Sequence, residues 1–179
     1  MNKDDVLNFW FSELEPKDWY KKDPSLDKLI KDRFLEVYHQ ACKGELWQWR
    51  ETAEGRLAEI IVLDQFSRNM FRDQAQAFAY DSLAVALSQE ACLQPQTHDL
   101  EVSMRAFAFM PLMHSESAKV HELAVKMFSS PGLENSLNFE LKHKVIIDRF
   151  GRYPHRNKIL GRVSTPEEID FLNQPNSSF

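Results

Sequence analysis

Apolar positions recur at intervals of three and four along most of the chain, the period of a helix that buries one face. Leu26, Ile30, Phe34, Val37, Tyr38 and Ala41 form the first clear stripe, which Asp23-Pro24 starts and Lys43-Gly44 stops. Leu57, Ile60, Ile61 and Asp64 form a second, so an acid falls on its apolar side. Phe78, Asp81, Val85 and Ser88 form a third, again with an acid facing inward, closed by Pro95 and its polar neighbours. A fourth helix is expected from Leu100 to Phe109, ending near Pro111, and a fifth capped by Ser115 with Glu116 in its first turn. After the turn Ser130-Pro131-Gly132, a sixth stripe carries Phe139, His143, Ile146, Ile147 and Phe150. Thr165-Pro166-Glu167-Glu168 is a capping box with proline at the first helical position. No stretch alternates like a strand between hairpin turns. The pattern predicts an all-α fold: one compact domain of antiparallel helices over residues 1–174, with 175–179 as a frayed tail.

Composition narrows this picture. A chain of 179 residues, 43% hydrophobic, is one ordinary domain and can bury roughly 70% of its unfolded surface without a disulfide or metal staple. Cys42 and Cys92 read as reduced thiols of a cytoplasmic protein. The start, Met1 to Asp5, lacks the basic-then-apolar layout of a signal peptide. The longest apolar run, Ala106 to Met113, is too short to span a bilayer. The net charge of −5 argues against general nucleic-acid binding. That charge is uneven, with a balance of +6 from Lys142 to Arg162 and −11 over the rest. A basic tract of this kind either holds a small anion or pairs internally with acids elsewhere.

One phrase occurs twice. Ile61-Val62-Leu63-Asp64-Gln65-Phe66-Ser67-Arg68, continuing to Arg72, returns 84 residues later as Val145-Ile146-Ile147-Asp148-Arg149-Phe150-Gly151-Arg152, continuing to Arg156. Each copy sets an Asp and an Arg four apart, the spacing at which helical side chains meet. Asp64, Asp81, His143 and, from a loop, His114 fall where apolar groups are expected, and Arg68, Arg72, Arg149, Arg152, Arg156 and Glu116 surround them. On the structural reading these acids and arginines satisfy one another, since a buried unpaired carboxylate is costly. On the functional reading Arg152 and Arg156 offer forks to an anionic small molecule or an acidic peptide group. His155 and Asn157 then supply orienting hydrogen bonds, and Asp64 steadies an arginine. Arg149 and His155 favour the functional reading, because the second copy adds them without adding acids.

Two other function classes stay open. His143 or His114 could act as general acid–base of a hydrolase or phosphoryl-group enzyme, or the helices could form a protein-interaction module. Glu140-Leu141-Lys142-His143 has a di-metal spacing, but the second such pair is missing. No metal or cofactor is expected, and Glu140 reads as solvent-facing. Ser67, Ser115 and Cys92 lack a nucleophile elbow. Phe9, Trp10, Phe11, Trp47 and Trp49 read as core, and Trp19-Tyr20 as packing or the rim of a pocket.

Five blocks carry a family resemblance: Asn8-Phe9-Trp10-Phe11, Asp64 to Arg72, Ala77-Phe78-Ala79-Tyr80-Asp81, Pro111-Leu112-Met113-His114-Ser115-Glu116, and Phe150-Gly151-Arg152-Tyr153-Pro154-His155-Arg156-Asn157. In this order they resemble the signature of the bacterial domain-of-unknown-function family 924, over Val6 to about Leu172. The resemblance implies a tetratricopeptide-like (TPR-like) helical fold, although the 34-residue consensus of true repeats is absent. It carries over no activity. The family's polar blocks map onto Asp64, Arg68, Asp81, His114, Glu116, His143, Arg152, His155, Arg156 and Asn157.

Overall fold

Capping chemistry sets the helix starts. The Asp23 carboxylate accepts the N–H groups of Ser25 and Leu26 at 3.0 and 3.3 Å, satisfying donors that the first turn leaves without partners. Thr165 and Glu168 exchange the two bonds of a capping box, as do Asn2 and Asp5. The computed structural model describes residues 1–175, 177 and 178. Its helices are α1 (Lys3–Asn8), α2 (Pro24–Cys42), α3 (Ala53–Ile61), α4 (Ser67–Met70), α5 (Asp81–Cys92), α6 (Pro95–His98), α7 (Val102–His114), α8 (Ala118–Phe128), α9 (Glu134–Phe150) and α10 (Pro166–Leu172). Among the described residues there is no strand. The fold is all-α and forms one compact domain.

The core runs through α1, α2, α3, α5, α7 and α8. Phe9, Trp10, Phe34, Phe66 and Phe107 meet there edge-on or tilted, the arrangements that suit aromatic quadrupoles. A smaller cluster of Ile146, Ile147 and Tyr153, with Phe150 and Phe171 against it, ties α9 to α10. Between α3 and α4 the chain widens into a π-helical turn, Val62–Phe66. All five of its residues are buried, so Asp64 is carried inward with its apolar neighbours. Such turns often mark functional positions.

Several expectations need correction. Pro111 does not end the fourth helix; α7 continues through it to His114. An interior proline costs about 3 kcal/mol, and burial of Leu112 and Met113 directly after it offsets that cost. His114 is therefore the last residue of a helix, not a loop residue. Pro95 opens α6 rather than only closing α5. α8 starts at Ala118 after Ser117, and the Ser115 hydroxyl accepts the Ser117 N–H instead of capping the helix as its N-cap. Phe139 and Trp47, read as inward or core residues, are 44% and 59% exposed. Glu140, read as solvent-facing, is fully buried. The frayed tail expected for 175–179 lies partly outside the described residues; within it, the Ser177 hydroxyl donates to the Leu172 carbonyl.

Candidate functional site

The polar groups of the two phrases do not assemble as one unit. Asp64, almost fully buried, accepts Nδ1 of His114 at 2.8 Å, Nε2 of Gln65 at 2.5 Å and Nη1 of Arg68 at 3.0 Å. Burial alone raises its pKa, but Arg68 and His114 outweigh that and hold the carboxyl well below the usual carboxylate range. Asp81, from the start of α5, accepts Nη2 of Arg68 at 3.0 Å and Nη1 of Arg156 at 3.3 Å, both on Oδ2. Arg156 also donates to the His114 carbonyl at 3.0 Å. Its guanidinium lies between the rings of Phe78 and Tyr153, each 4.6 Å away.

These side chains wall a cavity of about 440 Å³. Of the residues singled out from sequence, Arg68, Arg72, His114, His143, His155 and Arg156 line it, with Asp64 and Asp81 directly behind. Trp19 and Tyr20 stand at its rim, Tyr20 largely exposed and stacked on Phe107. All three imidazoles are kept neutral. Burial pushes His143 down to about 3 and His155 down to about 4. For His114, burial and the nearby guanidiniums of Arg68 and Arg156 outweigh the pull of Asp64, and its pKa is lowered. The His143 ring also packs edge-on against Tyr153, with Nδ1 2.8 Å from the Phe139 carbonyl.

The other sequence candidates lie elsewhere. Arg152, expected to offer a fork to a ligand, grips Glu168 through two nitrogens at 2.7 and 2.8 Å and donates to the Val163 carbonyl. Arg149 is exposed, its guanidinium over the Phe150 ring at 4.6 Å. Glu116 takes a two-point fork from Arg162 at 2.6 and 2.9 Å and the Tyr153 N–H at 2.7 Å. Asn157 bonds Ser164, Glu168 and Arg162. None of the four lines the cavity: Arg152 and Asn157 tie the 151–168 segment to Glu168 of α10, and Glu116, just before α8, holds it at Tyr153 and Arg162. Much of the basic tract is thus internally paired.

The family model described as bacterial protein of unknown function (DUF924) matches residues 6–176. The chain belongs to this family. A solved structure from Agrobacterium tumefaciens, of the protein of unknown function ATU0120, is similar at 35% identity over 96% of each chain, with a TM-score of 0.89. No curated protein matches.

One buried pair in this family member was not anticipated. His121 of α8 sets Nδ1 2.6 Å from Glu140 Oε1 and Nε2 2.9 Å from the Ser115 carbonyl, with both side chains sealed from solvent. Burial raises the Glu140 pKa. In sequence, Glu140 sits three before His143 and reads as a possible metal pair; its real partner is 19 residues away on the facing helix. The signal was its stripe: Glu140 precedes Ile147 by seven and His143 by three, so it shares their inward face. Among the described residues no group of three His, Cys, Asp or Glu side chains is placed to hold a metal ion. No helix there is long and apolar enough to cross a membrane. A second hollow, of about 470 Å³, lies against the start of α3 and is edged by exposed Glu51, Glu54 and Gln96, away from all of these groups.

Proposed function

We propose that the cavity binds a small anionic molecule with a flat or apolar body, its charge received by Arg156 with Arg68 beside it. The observation that carries this reading is the incomplete pairing of Arg156. Elsewhere in the molecule arginines and carboxylates meet as closed two-point forks: Arg72 on Asp27 at 2.6 and 2.7 Å, Arg152 on Glu168, and Arg162 on Glu116. At the cavity one oxygen of Asp81 serves two guanidiniums, while its Oδ1 and Arg156 Nε are buried without a hydrogen-bond partner among the described residues. Buried polar groups are otherwise almost always paired. Burial, then repulsion from Arg68, draws the pKa of Arg156 down, whereas that of Arg68 is raised by Asp64 and Asp81 against burial. Arg68 pairs with two of the protein's own acids, whereas Arg156 only shares one oxygen of Asp81 with it, so an entering anion offsets a charge that the fold leaves short.

The aromatic groups around Arg156 and at the rim suit a planar ligand. A thermal-unfolding series with succinate, benzoate, phosphate and sulfate tests the reading. A ligand at a hundred times its dissociation constant adds about 2.7 kcal/mol, or roughly 5 to 10 °C for a domain near this size. A carboxylate that raises the unfolding temperature of the native chain and not of Arg156→Met is the expected result. Shifts that are equal in the two proteins, or absent with every anion, would return Arg156 to a purely structural role.

A further inference from the structure

His114 differs from the other imidazoles of the cavity in what holds it. Asp64 keeps its negative charge, so its oxygens only accept, and the hydrogen in the 2.8 Å contact belongs to Nδ1 of His114. A neutral ring fixed in that tautomer carries its lone pair on Nε2. Among the described residues no hydrogen bond is made to that Nε2, and the ring lines the cavity. His121, by contrast, has both nitrogens engaged and no solvent exposure. His143 turns Nδ1 to a backbone carbonyl rather than to a carboxylate. A nitrogen base oriented by a buried carboxylate beside two guanidiniums is the arrangement that general-base catalysis requires.

We infer that His114, with Asp64 as its positioning residue, is the base of a hydrolytic site in this cavity, acting on a small ester that carries a carboxylate. The inference rests on the reading of the cavity as an anion site and adds a reaction to it. One cation whose pairing is incomplete, Arg156, matches a single negative charge. A phosphate monoester carries more charge and spreads it over three equatorial oxygens in transfer, which this wall does not balance. In the reaction, Nε2 of His114 takes a proton from water as the water oxygen bonds to the acyl carbon. The carbonyl oxygen becomes negative on the wall that Arg68 makes electropositive. As the carbon–oxygen bond to the alcohol breaks, the proton passes from Nε2 to the departing oxygen. Ester and water become acid and alcohol, and the imidazole is neutral again.

The test compares mono-4-nitrophenyl succinate with 4-nitrophenyl butyrate, its uncharged counterpart, followed by release of 4-nitrophenolate. The expected result is cleavage of the succinate ester at least ~10-fold faster than the butyrate ester. It falls by about 100-fold or more in His114→Gln, the size of a general-base contribution, and is unchanged in the exposed-residue control His39→Gln. Asp64→Asn lowers kcat with KM held; should that variant not fold, His114→Gln alone decides. If succinate stabilises the native chain through Arg156 while neither ester is cleaved above the rate given by equimolar imidazole, the base inference falls and the binding reading stands. Cleavage lost in His114→Gln but equal for both esters keeps the base and removes the carboxylate handle. Cleavage indifferent to His114→Gln overturns the inference.

Discussion

The two copies of the repeated phrase have the same spacing and opposite fates. In the first, Ser67 continues the helix, and Arg68, one turn after Asp64, reaches back to it at 3.0 Å. In the second, Gly151 occupies the place of Ser67, adopts φ 68°, and ends α9 with its N–H on the Ile147 carbonyl at 2.8 Å. Arg152 therefore starts outside the helix and goes to Glu168, and exposed Asp148 pairs with Lys144 one turn back. Four-residue spacing is a contact only while the helix lasts. The last arginines both line the cavity but pair differently: Arg72 closes a fork on Asp27, whereas Arg156 shares Asp81 with Arg68. The candidate site takes Asp64 and Arg68 from the first phrase and His155 and Arg156 from the second.

The sharpest way to break this comparison is to remove the acid from each copy. Asp64→Ala takes the shared partner from Arg68 and His114 in a buried network, and loss of one partner there costs about 3–5 kcal/mol. Asp148→Ala removes a half-exposed surface acid and should change stability by no more than about 0.5 kcal/mol. Urea midpoints of the two variants give the contrast directly. Near-equal losses would mean that the Asp64 cluster is no more integral than a surface pair.

Acid titration separates the same regions by sign. The folded pKa values of His143 and His155, about 3 and about 4, lie below the ordinary imidazole value of about 6.5. As pH falls through 6.5 the unfolded chain takes up protons that the folded chain refuses. Stability is thus complete above that pH and declines by about 1.4 kcal/mol per pH unit for each such histidine down to its folded pKa. Asp64 is also lowered, but from a carboxylate value, so its share is lost only below about pH 4. Denaturation midpoints between pH 6.5 and 4 should therefore flatten by one histidine's slope in His155→Gln. Asp64→Asn should lower the whole curve in that window and, because Asp64 holds the His114 pKa up, extend that histidine's slope toward lower pH.

Helix positions and caps were legible because they depend on neighbours in sequence: the stripe from Leu26 to Ala41, the Asp23 cap and the Thr165 box lie where the pattern puts them. Asp64, Asp81 and His143 were legible as polar groups on apolar faces. Partner choice was not, because it is set across helices. Nothing local says that Arg152 turns to Glu168 while Arg156 turns inward, or that Glu140 meets His121. Pro111 misled for a related reason, since its local cost is outweighed by packing that only the fold supplies. Charge counting left two readings of the basic tract open and could not name its partners: the tract meets Glu116, Asp81 and Glu168, acids distant in sequence or beyond its end.

The smallest effect tests whether a glycine decides which copy closes on itself. A Cβ at Gly151 would meet nothing within 4 Å, so Gly151→Ala is penalised by the backbone alone, about 1–2 kcal/mol for a side chain held in the left-handed region. Asn visits that region more readily, and Gly151→Asn should recover a good part of the loss. A calorimetric ranking of glycine, asparagine and alanine in decreasing stability supports Gly151 as the residue that diverts Arg152 from Asp148. Equal stability of all three would place the cause in the Arg152–Glu168 fork, which would then draw the chain off the helix whatever residue stood at 151.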